Sequence, residues 1–588
     1  MIPSMQVVGT ASKPLQRKER PLIVYHTFLI SAMTICVCLC YNREAIEKSR
    51  NRPSALFTLP IKEGCINRKE THMTEEEKSL YLKQLGRHLY QVNDDVTYDV
   101  QPLVNQNSFI QKQKDTSPIP TYEQSKSILP ALVWDRHEET IACYNKAWEI
   151  AFSNLRSPQP DDGMVSNYID SAFNDFLFMW DSAFITMFGK YGSGVFSFQK
   201  TLDNFYANQH KDGYICRAIC EKVKGDRFHR YDPAGTGPNI LAWAEWESYE
   251  ITGDIGRIKA VLPVLLSYHM WLEKNRTWMD GTYWSTGWAC GMDNQPRLQP
   301  EYSHVCSHGH MVWADACIQQ IISAKYLLRM ADLVGDVAEF TLGELRAEID
   351  ALTTFVNEKL WDEETAFYYD LWKNGQKNMV KSIGAYWALL ADIVPADKLD
   401  AFIAHLSNPE EFARPHSIPT LSADHPSYSR MGNYWCGGVW APANYMVFKG
   451  LVKNGYDQLA HDIALNHVQN VTQVFCDTDS IWENYAPETI VPGQPAKRDF
   501  VGWTGLSPIA VTIEHVFGIQ SYPEQRKIVW KIQENVRHGV LRYPFWEGTV
   551  DLICPAHKAG EKVNVSVNST VPVTVEVIFP DGTMCRHC

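Results

Sequence analysis

The chain has 588 residues and a formal net charge of −13, with 45% hydrophobic and 21% charged residues. That length calls for one large domain plus additions rather than a single small core. The composition is that of an ordinary globular protein. An acidic balance with no basic patch argues against nucleic-acid binding.

Residues 1–45 read as a basic flank and an apolar segment. Lys13, Arg17, Lys18 and Arg20 precede a mostly apolar run over 22–41, about the 20 residues that span a bilayer. The basic flank would stay cytoplasmic, and no A-x-A-like cleavage site follows, which favours an anchor over a cleaved signal. Met33 and Met73 are alternative starts. The expectation is a membrane-anchored or exported protein, associated with the membrane through 22–41, if residues 1–45 are translated, and a cytoplasmic one otherwise. Residues 46–125 are polar, with charge runs such as Thr74 to Lys78, and read as a linker with a short helix near 74–90.

Residues 126–520 carry apolar side chains at three- and four-residue steps nearly throughout. Helices are expected over 140–153, 203–210, 239–252, 258–274, 312–334, 340–360, 382–393, 396–406, 444–454 and 456–475. Gly and Pro punctuate the gaps, as at Gly192-Ser193-Gly194, Asp280-Gly281 and Gly437-Gly438, and the gaps hold most of the Trp, Tyr and Asp clusters. Long helices joined by aromatic, polar loops predict a helical toroid with its site in the loops at one end. From 521 to 588 the texture turns β-branched and alternating, as in Val563 to Val567 and Val573 to Phe579, which predicts a small β domain. The 15 cysteines form no disulfide framework.

Two strings carry the chemistry: Gly291-Met292-Asp293-Asn294 and Trp482-Glu483-Asn484-Tyr485. Each sets a carboxylate among aromatic and small residues. Glycosidic hydrolysis needs two carboxyls, one to protonate the departing oxygen and one to activate water or attack the sugar. An apolar wall raises the acid's pKa, so that it holds its proton near neutrality. Either residue alone is equally a cap or an ion-pair member; together they point to a catalytic pair. Asp181, next to Trp180 in a very apolar run, must find partners or cost several kcal/mol, and sugar hydroxyls suit it. Gln209, Asp212, Tyr214 and Arg217 form a loop set split between loop stabilisers and sugar contacts. Trp288, Asn294, Trp435, Trp440, Tyr485 and Trp503 complete the expected substrate-binding group. His304, Cys306, His308 and His310 alternate as zinc ligands on a strand do, but no wider ligand pattern supports a metal, and Asp94, Asp95 and Asp99 lie in the linker. No metal and no cofactor is therefore expected.

The ordered series Phe178 to Ser182, Asp212 to Ile215, Gly291 to Arg297, Trp482 to Glu488 and Gly502 to Gly505 resembles glycoside hydrolase family 63, nearest its mannosylglycerate-hydrolase-like members, with family 37 trehalases more distant. The resemblance spans about residues 130–520. It implies an (α/α)6 barrel and an inverting, exo-acting mechanism on α-linked sugars. Asp293 then matches the general acid and Glu483 the general base, while Trp180 and Asp181 match the terminal-sugar subsite. Ala289 and Cys290 stand where relatives often carry a Glu and a small residue. Two other classes compete: a non-catalytic carbohydrate-binding protein on the same barrel, and another toroidal enzyme such as a terpene cyclase or sugar epimerase. The first lacks a reason to keep both carboxylates. The cyclase needs an acidic metal cluster on the barrel wall, and the epimerase needs working histidines.

Overall fold

The computed structural model describes residues 100–588, apart from 171–173, 559, 560, 562 and 588. The basic flank, the apolar run 22–41, the short helix expected near 74–90 and the Asp94–Asp99 cluster lie outside the described residues. No described helix is long and apolar enough to cross a membrane.

After a single helical turn at Tyr122–Ser125, the toroid of the described residues is built from twelve helical segments: α1 Glu138–Ser153, α2 Met179–Gly189, α3 Asp203–Ala207, α4 Leu241–Thr252, α5 Ile255–Asn275, α6 Ala314–Val334, α7 Glu339–Phe355, α8 Trp387–Ala391, α9 Ala396–Ala404, α10 Ala441–Lys453, α11 Asp457–Thr478 and α12 Ser507–Val516. The even-numbered helices touch one another in cyclic order, α2 to α4, α6, α8, α10 and the turn before α12, which returns to α2. They close an inner ring, and the odd-numbered helices pack outside it, so the described residues form a helical toroid. Burial sorts the two layers. Every residue of α2 but Trp180 is buried, as is every residue of α12, whereas α7 buries only Leu345 and Leu352. Each fully buried large side chain in the ring contributes about 1.5–3 kcal/mol.

Local signals fix the ends. Asp254 caps α5 by accepting from the Arg257 amide. Gly253 ends α4 at φ +63, and a Cβ there would come within 2.6 Å of the Trp546 ring, so the position needs glycine for both conformation and packing. Ten of the expected helices are present. Two were not expected, α2 and α12, because a helix buried on all sides shows no 3.6-residue stripe.

The C-terminal part holds two four-stranded sheets. β1 Ala131–Trp134, β9 His538–Phe545, β10 Gly548–Cys554 and β11 Ser566–Ser569 form one; β7 Ile519–Tyr522, β8 Lys527–Lys531, β12 Thr574–Ile578 and β13 Met584–His587 form the other. The first is antiparallel throughout, and the second contains the parallel pair β8–β12. β1 comes from ahead of the helices, so this region is not built from residues 521–588 alone. Residues 100–125, expected as linker, instead pack on the toroid. Asn107 donates to the Tyr206 carbonyl and to Gln209 Oε1, and Lys112 pairs with Asp203 at 2.5 Å. Small strands β2 Phe176–Phe178, β3 Ala218–Cys220, β4 Met311–Val312, β5 Asp370–Trp372 and β6 Lys377–Asn378 brace the loops.

Candidate active site

Loops leading from an outer helix to the next inner helix are tied to one another, as where Asn294 bonds to Asn433 and Tyr434 to Glu483. Three of these carry the expected carboxyls and their walls: residues 276–313 before α6, 405–440 before α10, and 479–502 before α12. The first turn of α2 adds Trp180 and Asp181.

The loop bearing Asp293 is pinned by its own sequence. Gly291 sits at φ +82, and a Cβ there would meet the Trp180 indole at 3.1 Å. Gln295 donates to the Thr420 carbonyl at 2.7 Å and accepts from Ser382. Arg297 forks between Asp315 and Asp370 with four hydrogen bonds of 2.5–2.9 Å. Asp293 is only half-buried, yet its apolar surroundings raise its pKa to about 6, against the pull of Arg217 and Arg227.

Glu483 is 4% exposed. Its backbone is held by Lys497 O, by the Trp503 indole at 3.2 Å and by Thr504 at 3.3 Å. Its carboxyl accepts from the Lys497 amide at 3.1 Å and from the Tyr434 hydroxyl at 3.3 Å. Burial raises its pKa to about 7; those two donors and the Lys497 charge work against the rise, and the Asp293 charge adds to it. Asp181 is 7% exposed, with no side-chain hydrogen bond to another residue among the described residues. Burial holds its pKa well above the usual range, helped by Glu483 and Asp170. Carboxyls of α2 and of two loops therefore share one space.

The walls are aromatic. Trp435 and Trp440 stack at 3.9 Å and 4°, and Trp503 meets Trp440 at 5.5 Å. The indole nitrogen of Trp180 is buried without a partner. On the Asp293 side, the Arg217 guanidinium lies 5.7 Å from the Trp288 ring and that of Arg227 5.9 Å from it.

Several expected contacts point elsewhere. Gln209 gives both amide hydrogens to the Gly213 and Val264 carbonyls and accepts from Asn107, so it braces the loop. Asp212 accepts from Arg230, Trp271 and the Tyr214 amide. The Tyr214 hydroxyl is fully buried on the Phe228 and Gly235 carbonyls. Tyr485 is buried, its hydroxyl accepting from the Trp482 amide. Asn294 spends its side chain on the backbone of Asn433 and Trp435. Gln209, Asp212 and Tyr214 were drawn from a polar, aromatic loop and Asn294 and Tyr485 from the two carboxylate strings, and neither signal says whether a side chain turns to the cleft or to the backbone. His308 packs edge-on against Trp278 and Trp284. Tyr434, Arg227, Lys497 and Asp170 were missed. The Tyr434-Trp435 pair before Gly437-Gly438 was a usable signal for the first; the others had none.

Two carboxyls among aromatic walls on the loops of a helical toroid fit what glycoside hydrolysis requires. The model of the mannosylglycerate hydrolase MGH1-like glycoside hydrolase domain matches residues 174–504. The chain belongs to that family and is a glycoside hydrolase. An uncharacterized protein of Borreliella burgdorferi is 24% identical over 467 residues, 77% of this chain and 95% of that one. A probable mannosyl-oligosaccharide glucosidase of Schizosaccharomyces pombe is 24% identical over 42% of this chain and 34% of its own. Among solved structures, the family 63 mannosylglycerate hydrolase of Thermus thermophilus in complex with glucose superposes with TM-score 0.51 at 19% identity, over 62% of this chain and 98% of that one. At that identity the likeness speaks for the fold.

Proposed function

We propose that the chain is an inverting, exo-acting α-glycosidase on an (α/α)6 barrel with a C-terminal β domain, with Asp293 as general acid and Glu483 as general base. The observation that carries this reading is the pair of raised carboxyls on separate loops facing one space. Asp293, its pKa raised to about 6, gives its proton from the protonated form to the departing glycosidic oxygen. Glu483, ionised, takes a proton from water as the water attacks the anomeric carbon from the opposite face. A gap of roughly 6.5–9.5 Å between the two carboxyls leaves room for that water. Asp181 and the Trp180 indole receive the hydroxyls of the terminal sugar, since both are buried polar groups still short of partners. The stacked Trp435 and Trp440, with Trp503, keep bulk water out.

On the leaving-group side, Arg217 donates through Nε to the Ala234 carbonyl at 2.8 Å, and its two outer nitrogens make no hydrogen bond to the protein among the described residues. That free fork suits an acidic or hydroxyl-rich leaving group. Mannosylglycerate, named for relatives of this chain, carries such a carboxylate. The test is hydrolysis of α-glucosides, α-mannosides, mannosylglycerate and trehalose, with the released anomer followed by NMR. Release of the β-anomer is expected. Release of the α-anomer from an α-glucoside, an α-mannoside or mannosylglycerate rules out inversion, whereas inverted trehalose gives one α- and one β-glucose; no turnover by folded protein on any of them rejects this substrate range.

A further inference from the structure

Tyr434 sits in a segment that backbone physics disfavours. Asn433 and Tyr434 both have positive φ, 40° and 65°, and a bulky side chain in that region persists only where its surroundings over-determine it. Four hydrogen bonds do so. Asn294 donates to the Asn433 carbonyl and accepts from the Trp435 amide, both at 2.9 Å. The Tyr434 carbonyl accepts from the Trp440 indole and from the Gly438 amide, both at 3.1 Å. A Cβ on Gly438 would lie 2.3 Å from that same oxygen. The product of all this is one contact: the Tyr434 hydroxyl donates to Glu483 Oε1 at 3.3 Å. The other Glu483 oxygen is met by the Lys497 amide. Simple packing of the ring against Trp440 would need no hydroxyl.

We propose that Tyr434 is a positioning residue that sets the orientation and proton affinity of the Glu483 carboxylate, and that Asn294 ties this hydroxyl to the loop bearing Asp293. The acid and base loops are thereby one mechanical unit. Asn294 follows Asp293 directly in sequence, so the bond it makes to 433–435 spans from the acid to the base's donor in one residue. The charged and titratable groups facing Glu483 are Asp181 from α2, Asp293, Tyr434 and Lys497. Tyr434 stays protonated, its own pKa raised by burial and by the Glu483, Asp293 and Asp181 charges, and so remains a donor. A donor to the carboxylate favours the ionised form that a base must have.

The kinetic arm of the test rests on the proposed role of Glu483; the spectroscopic arm does not. Difference infrared titration of wild type against Glu483→Gln isolates the Glu483 carboxyl band. Tyr434→Phe keeps the ring and removes only the hydroxyl. Its Glu483 midpoint should rise by about half a pH unit or more, about threefold in proton affinity. Asn294→Ala should raise it as well, and the double variant should not exceed Asn294→Ala, since both act through one contact. In kcat/KM, Tyr434→Phe should lose about threefold or more on the acid side of the profile and keep the alkaline side. An unmoved midpoint overturns the proposal, as does an equal loss of rate at every pH. Wild-type turnover by Glu483→Gln removes the base assignment alone, and the infrared midpoints still decide the role of Tyr434.

Discussion

The two ends of α2 hold buried carboxyls with opposite fates. At its N-terminal end, Asp181, Asp293 and Glu483 make no ion pair among the described residues, and burial outweighs the more distant Arg217, Arg227 and Lys497 charges, so their pKa values rise. At its C-terminal end, Lys190 lies 2.6 Å from Glu247 and 3.0 Å from Glu514, and Lys449 lies 2.8 Å and 3.3 Å from the same two. The hydroxyls of Tyr191 and Tyr445 also donate to Glu514. There the ammonium charges outweigh burial and hold both glutamates below the usual range. Burial is common to both ends, so it is the partner that decides whether a buried acid is a fixed anion or a proton carrier. One end is satisfied by the protein; the other has no ion pair among the described residues.

The largest expected effect falls on the unsatisfied end. Asp293→Asn and Glu483→Gln should each lose about 10²–10⁴-fold in kcat while melting cooperatively. Asp293→Asn should recover on a glycosyl fluoride, whose leaving group needs no proton. Wild-type turnover by either variant would erase the contrast. At the satisfied end, Glu247→Gln leaves Glu514 alone to two buried ammoniums, one charge short, and should cost about 3–5 kcal/mol in denaturant unfolding, leaving the shape of the pH–rate profile alone.

pH separates the ends further. Glu483 has a folded pKa raised to about 7, so its contribution to stability is full below the unfolded value near 4.5 and is lost as pH rises to about 7. Across that window the loss is about 3 kcal/mol, and Glu483→Gln should abolish it in stability measured at pH 5 and pH 8. Glu247 and Glu514 are depressed, so their contribution holds above the unfolded value and fades as pH falls below it. The rate profile requires Asp293 protonated and Glu483 ionised together, and kcat/KM should peak between about pH 6 and 7. The smallest change is Asp181→Asn, which keeps shape but exchanges one carboxyl oxygen for an amide donor. It should lower kcat/KM by about 10–100-fold; an unchanged value would remove Asp181 from the sugar subsite.

Amphipathic helices and the two carboxylate-bearing strings were legible because each has a local signature. Outer helices such as α5 and α11 show an apolar stripe, and Asp293 and Glu483 stand out as charges in apolar, aromatic settings. α2 and α12 were not legible, because full burial removes the stripe. The destination of a polar side chain was legible only where its neighbours left one choice. Asp181 had no local polar partner and does face the shared space, whereas Gln209 and Asp212 turned to backbone and side chains contributed from α5 and from residue 107. Strand β1 was missed because its partner β9 lies at the far end of the chain.

That pairing has a consequence for how the protein is made. Trp134 bonds to Glu534, 400 residues later, and among the described residues β1 pairs with β9 alone. A nascent chain emerging from the ribosome presents an apolar strand almost as soon as the described body begins, and must keep it from other partners until nearly all of the polypeptide is out. Contacts of such long separation are slow to form and leave a strand edge exposed meanwhile. A chain cut short before residue 538 would keep both carboxyls and the whole ring of helices, and still lack the clasp that joins its two extremities.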